Sequence, residues 1–535
     1  MPSVKRLLAL ALALAACAHA PELPPPPPPA PVAPPAAPSP EAVTLARIRA
    51  DVDGLLAAQG EATWLAWTSG APLDVAGPMH GREWLADGGA LAALDALPAA
   101  PDAAEGTRRR MLRDFLLGER LAAAAAPAAG APSPDLTFAY EGRSVPLRDS
   151  VSMLAAEPDA ARREALDFAR APAAARAAKA ADERAAALAA AANRLGLGDL
   201  LTIATELRRA DSAALATLAS ETLEATGPAY CAVMDALARG EVGAPLAATR
   251  LRDLPRILRA SHDPKAHAAA KLVPDGEAAA TAAGVDLARR VRLDDRFVPG
   301  KSQRPLTVPV EVPGDVRLSA RPSGGASEAR AFLHELGVAL FLSGIRAEGV
   351  ERRRLGSPAG AATWGYLLEG LAADPAWIHD RSGIVGDGLA REIKAAQAER
   401  LHAVRMQAAR LLREVERSRG APTGAAGDAK ILTRTLCRPV SAEDAIRWPL
   451  PRDPLLTSAD AMRGALLAAQ VESALANLGG GPWWRWKGAP GWLAPVWGAG
   501  AVASPDELAR SVGVGTISPE ALARVARARF DSAGW

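Results

Sequence analysis

The chain has 535 residues and nearly balanced charge, with 62 Lys and Arg against 60 Asp and Glu for a net of +2. That length allows two or more domains with large buried cores, while a near-neutral balance without a basic, aromatic-interleaved cluster excludes a nucleic-acid surface. Alanine is abundant, aromatic residues are only 4% and β-branched residues are sparse, a composition that predicts a mainly α-helical protein.

The N-terminus reads as an address. Lys5-Arg6 precede an apolar run from Leu7 to Ala16 that ends in Leu14-Ala15-Ala16-Cys17. A short apolar stretch with a basic flank and small residues at its end is a secretory signal, too short for a membrane span. Leu-Ala-Ala-Cys resembles a bacterial lipobox, which makes residues 1–17 a lipoprotein signal and Cys17 the lipidated first residue. Several acyl chains on one cysteine give stable membrane anchoring. Ala18 rather than Asp after it leans towards the outer membrane, facing the periplasm. Residues 18–40 are a Pro-rich spacer, stiff enough to hold a folded body off the bilayer. Cys231 and Cys437 remain in the body; outside the cytoplasm they could pair, and the sequence leaves open whether they meet.

From Glu41 the pattern turns helical, with Leu45, Ile48, Val52, Leu55 and Leu56 at helical spacing. Met111, Phe115, Leu116 and Leu121 continue it, and Gly130-Ala131-Pro132-Ser133-Pro134 breaks the chain. A strand over residues 136–140 turns at Glu141-Gly142 and runs on to Val145. Helix follows over 149–170 with an interruption at Pro158, then over the Ala-rich 173–194, which Gly196 and Gly198 stop. Residues 200–226 and 230–238 read as two further helices. Short, proline-interrupted strands at 292–294, 306–312 and 316–318 predict a small, edge-rich sheet. Beyond it, helices are expected near 364–373, 388–418 and 466–478, followed by a Trp-rich stretch (Trp483, Trp484, Trp486, Trp492, Trp497) and two short helices starting near Ser504 and Ser518.

Between sheet and helix stands the one chemically pointed stretch, Phe332-Leu333-His334-Glu335-Leu336-Gly337-Val338. In an H-E-x-x-H helix two His at i and i+4 share one face and one metal, and the Glu beside the first acts as general base on the bound water. Here His334 and Glu335 are in place and the i+4 position is Val338, which has no lone pair to give. No G-x-S-x-G, phosphate loop or Cys-x-x-Cys offers another chemistry.

The order of strand, Gly300-Lys301-Ser302, two strands and His334-Glu335-Leu336-Gly337 resembles the thimet oligopeptidase and oligopeptidase F family of zinc metallopeptidases. Tyr140-Glu141-Gly142 upstream and Leu368-Glu369-Gly370 downstream, running to Trp377, are similar to that family's flanking segments. The resemblance implies a mainly α, two-lobed metallopeptidase-like body around a deep channel, with a small β-sheet before the His334 helix, a helical lobe at 41–284 and a metallopeptidase-like lobe at 285–535. Carried over position by position, His334 is the first ligand, Glu335 the base and Val338 the lost second ligand. The third ligand falls on Ala362 or Thr363, also lost, and Glu369 matches a neighbouring non-ligand carboxylate. His379, Asp374, Glu348 and Glu351 are the nearest replacement donors, none at the family spacing.

Catalytic zinc takes three protein ligands, and one survives. The expectation is a lipid-anchored, non-catalytic relative with no cofactor, in the bacterial cell envelope, that binds peptides or a partner protein and no nucleic acid. The alternatives are a zinc metallopeptidase with atypical ligands and a purely structural envelope lipoprotein.

Overall fold

The computed structural model describes residues 39–129, 136–260, 262–421 and 424–534. The signal and lipobox with Cys17, nearly all of the Pro-rich spacer and the break at 130–134 lie outside the described residues. Helices dominate. Pro40–Ser69, Ala103–Ala129, Ala160–Arg194 and Ser212–Val242 are long helices of the first half. Ala326–Gly344, Pro358–Glu369, Gly386–Ser418 and Thr457–Gly479 are the main ones of the second.

Many helix starts are set by side-chain caps that satisfy otherwise orphaned N–H groups. Asp159 accepts from the amide of Arg162, Asp199 from Thr202, Asp211 from Ala213 and Ala214, and Asp374 from Trp377. Two expected boundaries move. Ala160–Arg194 is one helix running through Pro172, and Ser212–Val242 runs through Pro228. A helix-interior proline frees the carbonyl four residues earlier. Pro172 and Phe168, like Pro228 and Glu224, are exposed, so solvent can satisfy that carbonyl in both cases. The break falls instead inside the expected 200–226 helix. Arg209 adopts a left-handed conformation (φ 49°) that closes Leu200–Arg208, and Asp211 caps the next helix.

Among the described residues, two small sheets accompany the helices. β1 (Thr137–Tyr140) and β2 (Arg143–Pro146) form an antiparallel hairpin. β3 (Arg292–Asp294), β4 (Leu306–Glu311) and β5 (Asp315–Ser319) form a three-stranded sheet in the order β3-β5-β4. β3 runs parallel and β4 antiparallel to the central β5. Pro309 therefore sits on an edge strand, where its missing N–H does least harm.

Residues Thr44–Trp535 form one compact unit. Its main core crosses residue 285, joining Leu251, Ile257 and Leu272 to Leu336, Leu367, Leu401 and Leu467. The site helices lie unusually close. A Cβ on Gly337 would lie 2.2 Å from the Trp364 carbonyl oxygen, and one on Gly464 would lie 2.9 Å from the Ala362 Cβ. Only glycine lets the His334 helix (Ala326–Gly344) and the Glu369 helix (Pro358–Glu369) meet backbone to backbone. Trp364 and Trp497, ring centroids 5.8 Å apart and edge to face, close the packing beside them. Cys231 and Cys437 are joined by a disulfide across 206 residues of sequence.

Candidate functional site

A cleft of about 1140 Å³ runs past the His334 helix. Its walls are Arg330, His334 and Glu335, Tyr366 and Glu369 of the next helix, and Glu399, His402 and Met406 of Gly386–Ser418. Arg170 and the loop of Trp448 and Arg452 line it as well.

Arg330 and His334, four residues apart, share one helix face and both turn to Glu369. Arg330 donates to Glu369 Oε1 at 2.5 Å and, through Nη1, to Glu399 Oε2 at 2.8 Å. His334 Nδ1 lies 3.1 Å from Glu369 Oε2; a carboxylate only accepts, so this nitrogen carries the proton. Burial pushes the Glu369 carboxyl up, but Arg330 and His334 outweigh it and hold it down at about 2. Glu399 is likewise held at about 2 by Arg330 and His262 against the effect of burial. The second imidazole nitrogen of His334, Nε2, packs on the bare α-carbon of Gly365, where a Cβ would lie 2.8 Å away. The Tyr366 ring meets the imidazole edge to face at 4.6 Å.

Glu335, beside His334, is clamped to the sheet. Its Oε2 accepts from the Thr307 amide at 2.8 Å, and the Thr307 hydroxyl donates to the Glu335 carbonyl at 2.6 Å. The general-base position is thus occupied in holding β4 against the helix.

The metallopeptidase zinc does not fit this donor set. Val338 has no donor atom, Ala362 is packed towards Gly464, and the Thr363 hydroxyl is buried and donates to the Ala359 carbonyl. The expected replacements are engaged elsewhere. Asp374 caps a helix, Glu351 pairs with Arg49, and His379 contacts Asp380; none of these, nor Glu348, lines the cleft. These side chains form a continuous ion-pair chain along the cleft, Glu399–Arg330–Glu369–His334.

Sequence reasoning overlooked a second cluster next to those ion pairs. Glu392 Oε1 lies 2.7 Å from His262 Nδ1 and 2.7 Å from His267 Nε2. Burial pulls the His262 imidazole down, but Glu392 and Glu399 reverse this and raise it to about 9. The signal available was two histidines five apart in His262-Asp263-Pro264-Lys265-Ala266-His267. Their partner lies 125 residues further on, beyond the reach of any local pattern. His402, also unremarked, bonds the Tyr230 hydroxyl at 2.9 Å through Nδ1. Burial lowers its imidazole to about 4, so it is neutral at pH 7.

A mainly helical body around a long cleft, with a small sheet leading into an H-E helix, is a metallopeptidase-like fold. Among solved structures, an M32 carboxypeptidase from Deinococcus radiodurans R1 is similar to this chain with a TM-score of 0.58 and 16% identity, over 92% of this chain and 99% of that one. PZ peptidase A, solved with an inhibitor, is similar with a TM-score of 0.64 and 12% identity, over 92% of each chain. Neither carries the name of the thimet oligopeptidase or oligopeptidase F family, and at these identities the likeness is one of fold. No protein-family model matches the chain, and no curated protein sequence matches it.

Proposed function

We propose that this chain is a non-hydrolytic relative of the zinc metallopeptidases that binds peptides in its cleft, in keeping with the oligopeptidase-like order of its motifs. The observation that carries the reading is the chemistry around His334. One ring nitrogen is committed to Glu369, the other rests on Gly365, and Val338 and Ala362 stand where donors are needed. Without a Lewis acid, the attacking water keeps a pKa of about 16 rather than about 7, and Glu335, held by Thr307, cannot compensate.

Peptide as the ligand class follows from the cleft. At about 1140 Å³ it exceeds the roughly 300–1,000 Å³ of small-molecule pockets. It combines apolar surface (Leu254, Leu258, Met406, Trp448) with fixed charges of both signs, which suits a chain with varied side chains. The Leu-Ala-Ala-Cys ending supports placement in a bacterial envelope through lipid on Cys17.

Incubation with a quenched-fluorescence peptide library, with and without chelator, tests the reading. The expected result is no cleavage, together with library peptides that raise the melting temperature. Chelator-sensitive cleavage that disappears in Glu335→Gln would overturn it. For the anchor, metabolic labelling with a fatty acid should mark the wild-type chain and fail in Cys17→Ser.

A further inference from the structure

We infer that the chain holds a divalent cation of the zinc class at His262, His267 and Glu392, away from the H-E helix. Among the described residues these form a group whose ligand atoms, two imidazole nitrogens and a carboxylate oxygen, all lie within 4.8 Å of one another. Two imidazoles and one carboxylate are a donor set that suits zinc. The two imidazoles share one carboxylate oxygen: Glu392 Oε1 lies 2.7 Å from His262 Nδ1 and 2.7 Å from His267 Nε2. Zinc bonds of about 2.0–2.1 Å would set neighbouring donors about 3.3 Å apart. A spread of about 0.6 Å brings each of these two contacts to coordination spacing, and the two nitrogens already lie within 4.8 Å of each other.

The surroundings are already those of a ligand set. The second Glu392 oxygen accepts from the Asp263 amide at 2.7 Å, which fixes the carboxylate. His262 Nε2 is buried, makes no hydrogen bond and faces Glu399 Oε2 at 3.5 Å. Metal-bound histidines characteristically turn their far nitrogen to a carboxylate in this way. His267 also lines a cavity of about 30 Å³, room for one water beside this imidazole. Glu392 is wholly buried and the two histidine side chains are 7% and 6% exposed, which makes this a closed site.

None of the three donors lines the cleft. The cation's role is therefore structural. It pins the 262–267 segment to the helix Gly386–Ser418 and, through Glu399, braces Arg330 and the floor of the cleft. The inference stands whether or not the cleft hydrolyses peptides.

Calorimetric zinc titration of the chelator-treated full chain tests it, alongside His267→Ala, Glu392→Gln and His334→Ala. Wild type and His334→Ala should each bind one zinc, while His267→Ala and Glu392→Gln should bind at least tenfold more weakly. Should those two variants fail to fold, X-ray absorption of the zinc-loaded wild type decides, with two imidazoles expected. No stoichiometric zinc in the wild type, zinc retained by both His267→Ala and Glu392→Gln, zinc lost in His334→Ala, or a single imidazole in the spectrum would each overturn the inference.

Discussion

Arg330 is the residue on which the cleft floor turns. It faces two largely buried carboxylates at once, Glu369 and Glu399, and is itself only 13% exposed. Removing one partner of a buried ion pair leaves the other charges uncompensated, at a cost of about 3–5 kcal/mol. Arg330→Met is accordingly expected to lower the free energy of unfolding by that order, read by urea denaturation, and to loosen His334 through Glu369. His402 gives the pH counterpart. Its folded-state imidazole is lowered to about 4 from an ordinary value of 6.5, so between these limits the unfolded chain binds the extra proton. Stability contributed by the neutral ring is complete above pH 6.5 and is lost as pH falls towards 4, about 3 kcal/mol in all. His402→Gln, which can still bond Tyr230, should flatten the pH dependence of unfolding across that window.

At the scale of elements, the contact between the His334 and Glu369 helices depends on Gly337. A methyl there would meet the Trp364 carbonyl at 2.2 Å, and forcing backbones apart in a packed core costs about 1–3 kcal/mol. Gly337→Ala should lower the melting temperature and, by shifting Glu369 relative to His334, alter the cleft; thermal unfolding and peptide binding measure the two effects. Much of the element order was legible. The alternation of short strands with prolines before His334 marked the sheet, and the apolar spacing after Gly324-Gly325 marked the helix that follows. Pro172 and Pro228 misled because a local rule for proline ignores which side of the helix faces solvent. The break at Arg209 was hidden because its left-handed turn is filled by arginine rather than glycine. Glu369 could be found beside His334 through the motif, whereas Glu392 could not be joined to His262 and His267, since only tertiary folding brings that helix across.

For the whole molecule, the main core spans most of the chain after Ala204, so distant segments stand or fall together. The Cys231–Cys437 disulfide joins the helix Ser212–Val242 to the end of Ala425–Leu436. Beside it, buried Arg405 donates to the carbonyls of Leu223 and Thr435 and to the Thr226 hydroxyl, tying the same helices together. Closing so long a loop restricts the unfolded chain, and loss of such a link typically costs about 2–5 kcal/mol. Denaturation with and without reductant should show a destabilisation of that size, and Cys231→Ser should reproduce it without reductant.

The same crosslink dictates how the protein must be made. Thiols stay reduced in a bacterial cytosol, so material overproduced there would lack the bond between residues 231 and 437 and would enter purification as a weakened species. Export to an oxidising compartment, or controlled oxidation during refolding, is the preparation on which every binding and metal measurement should be run.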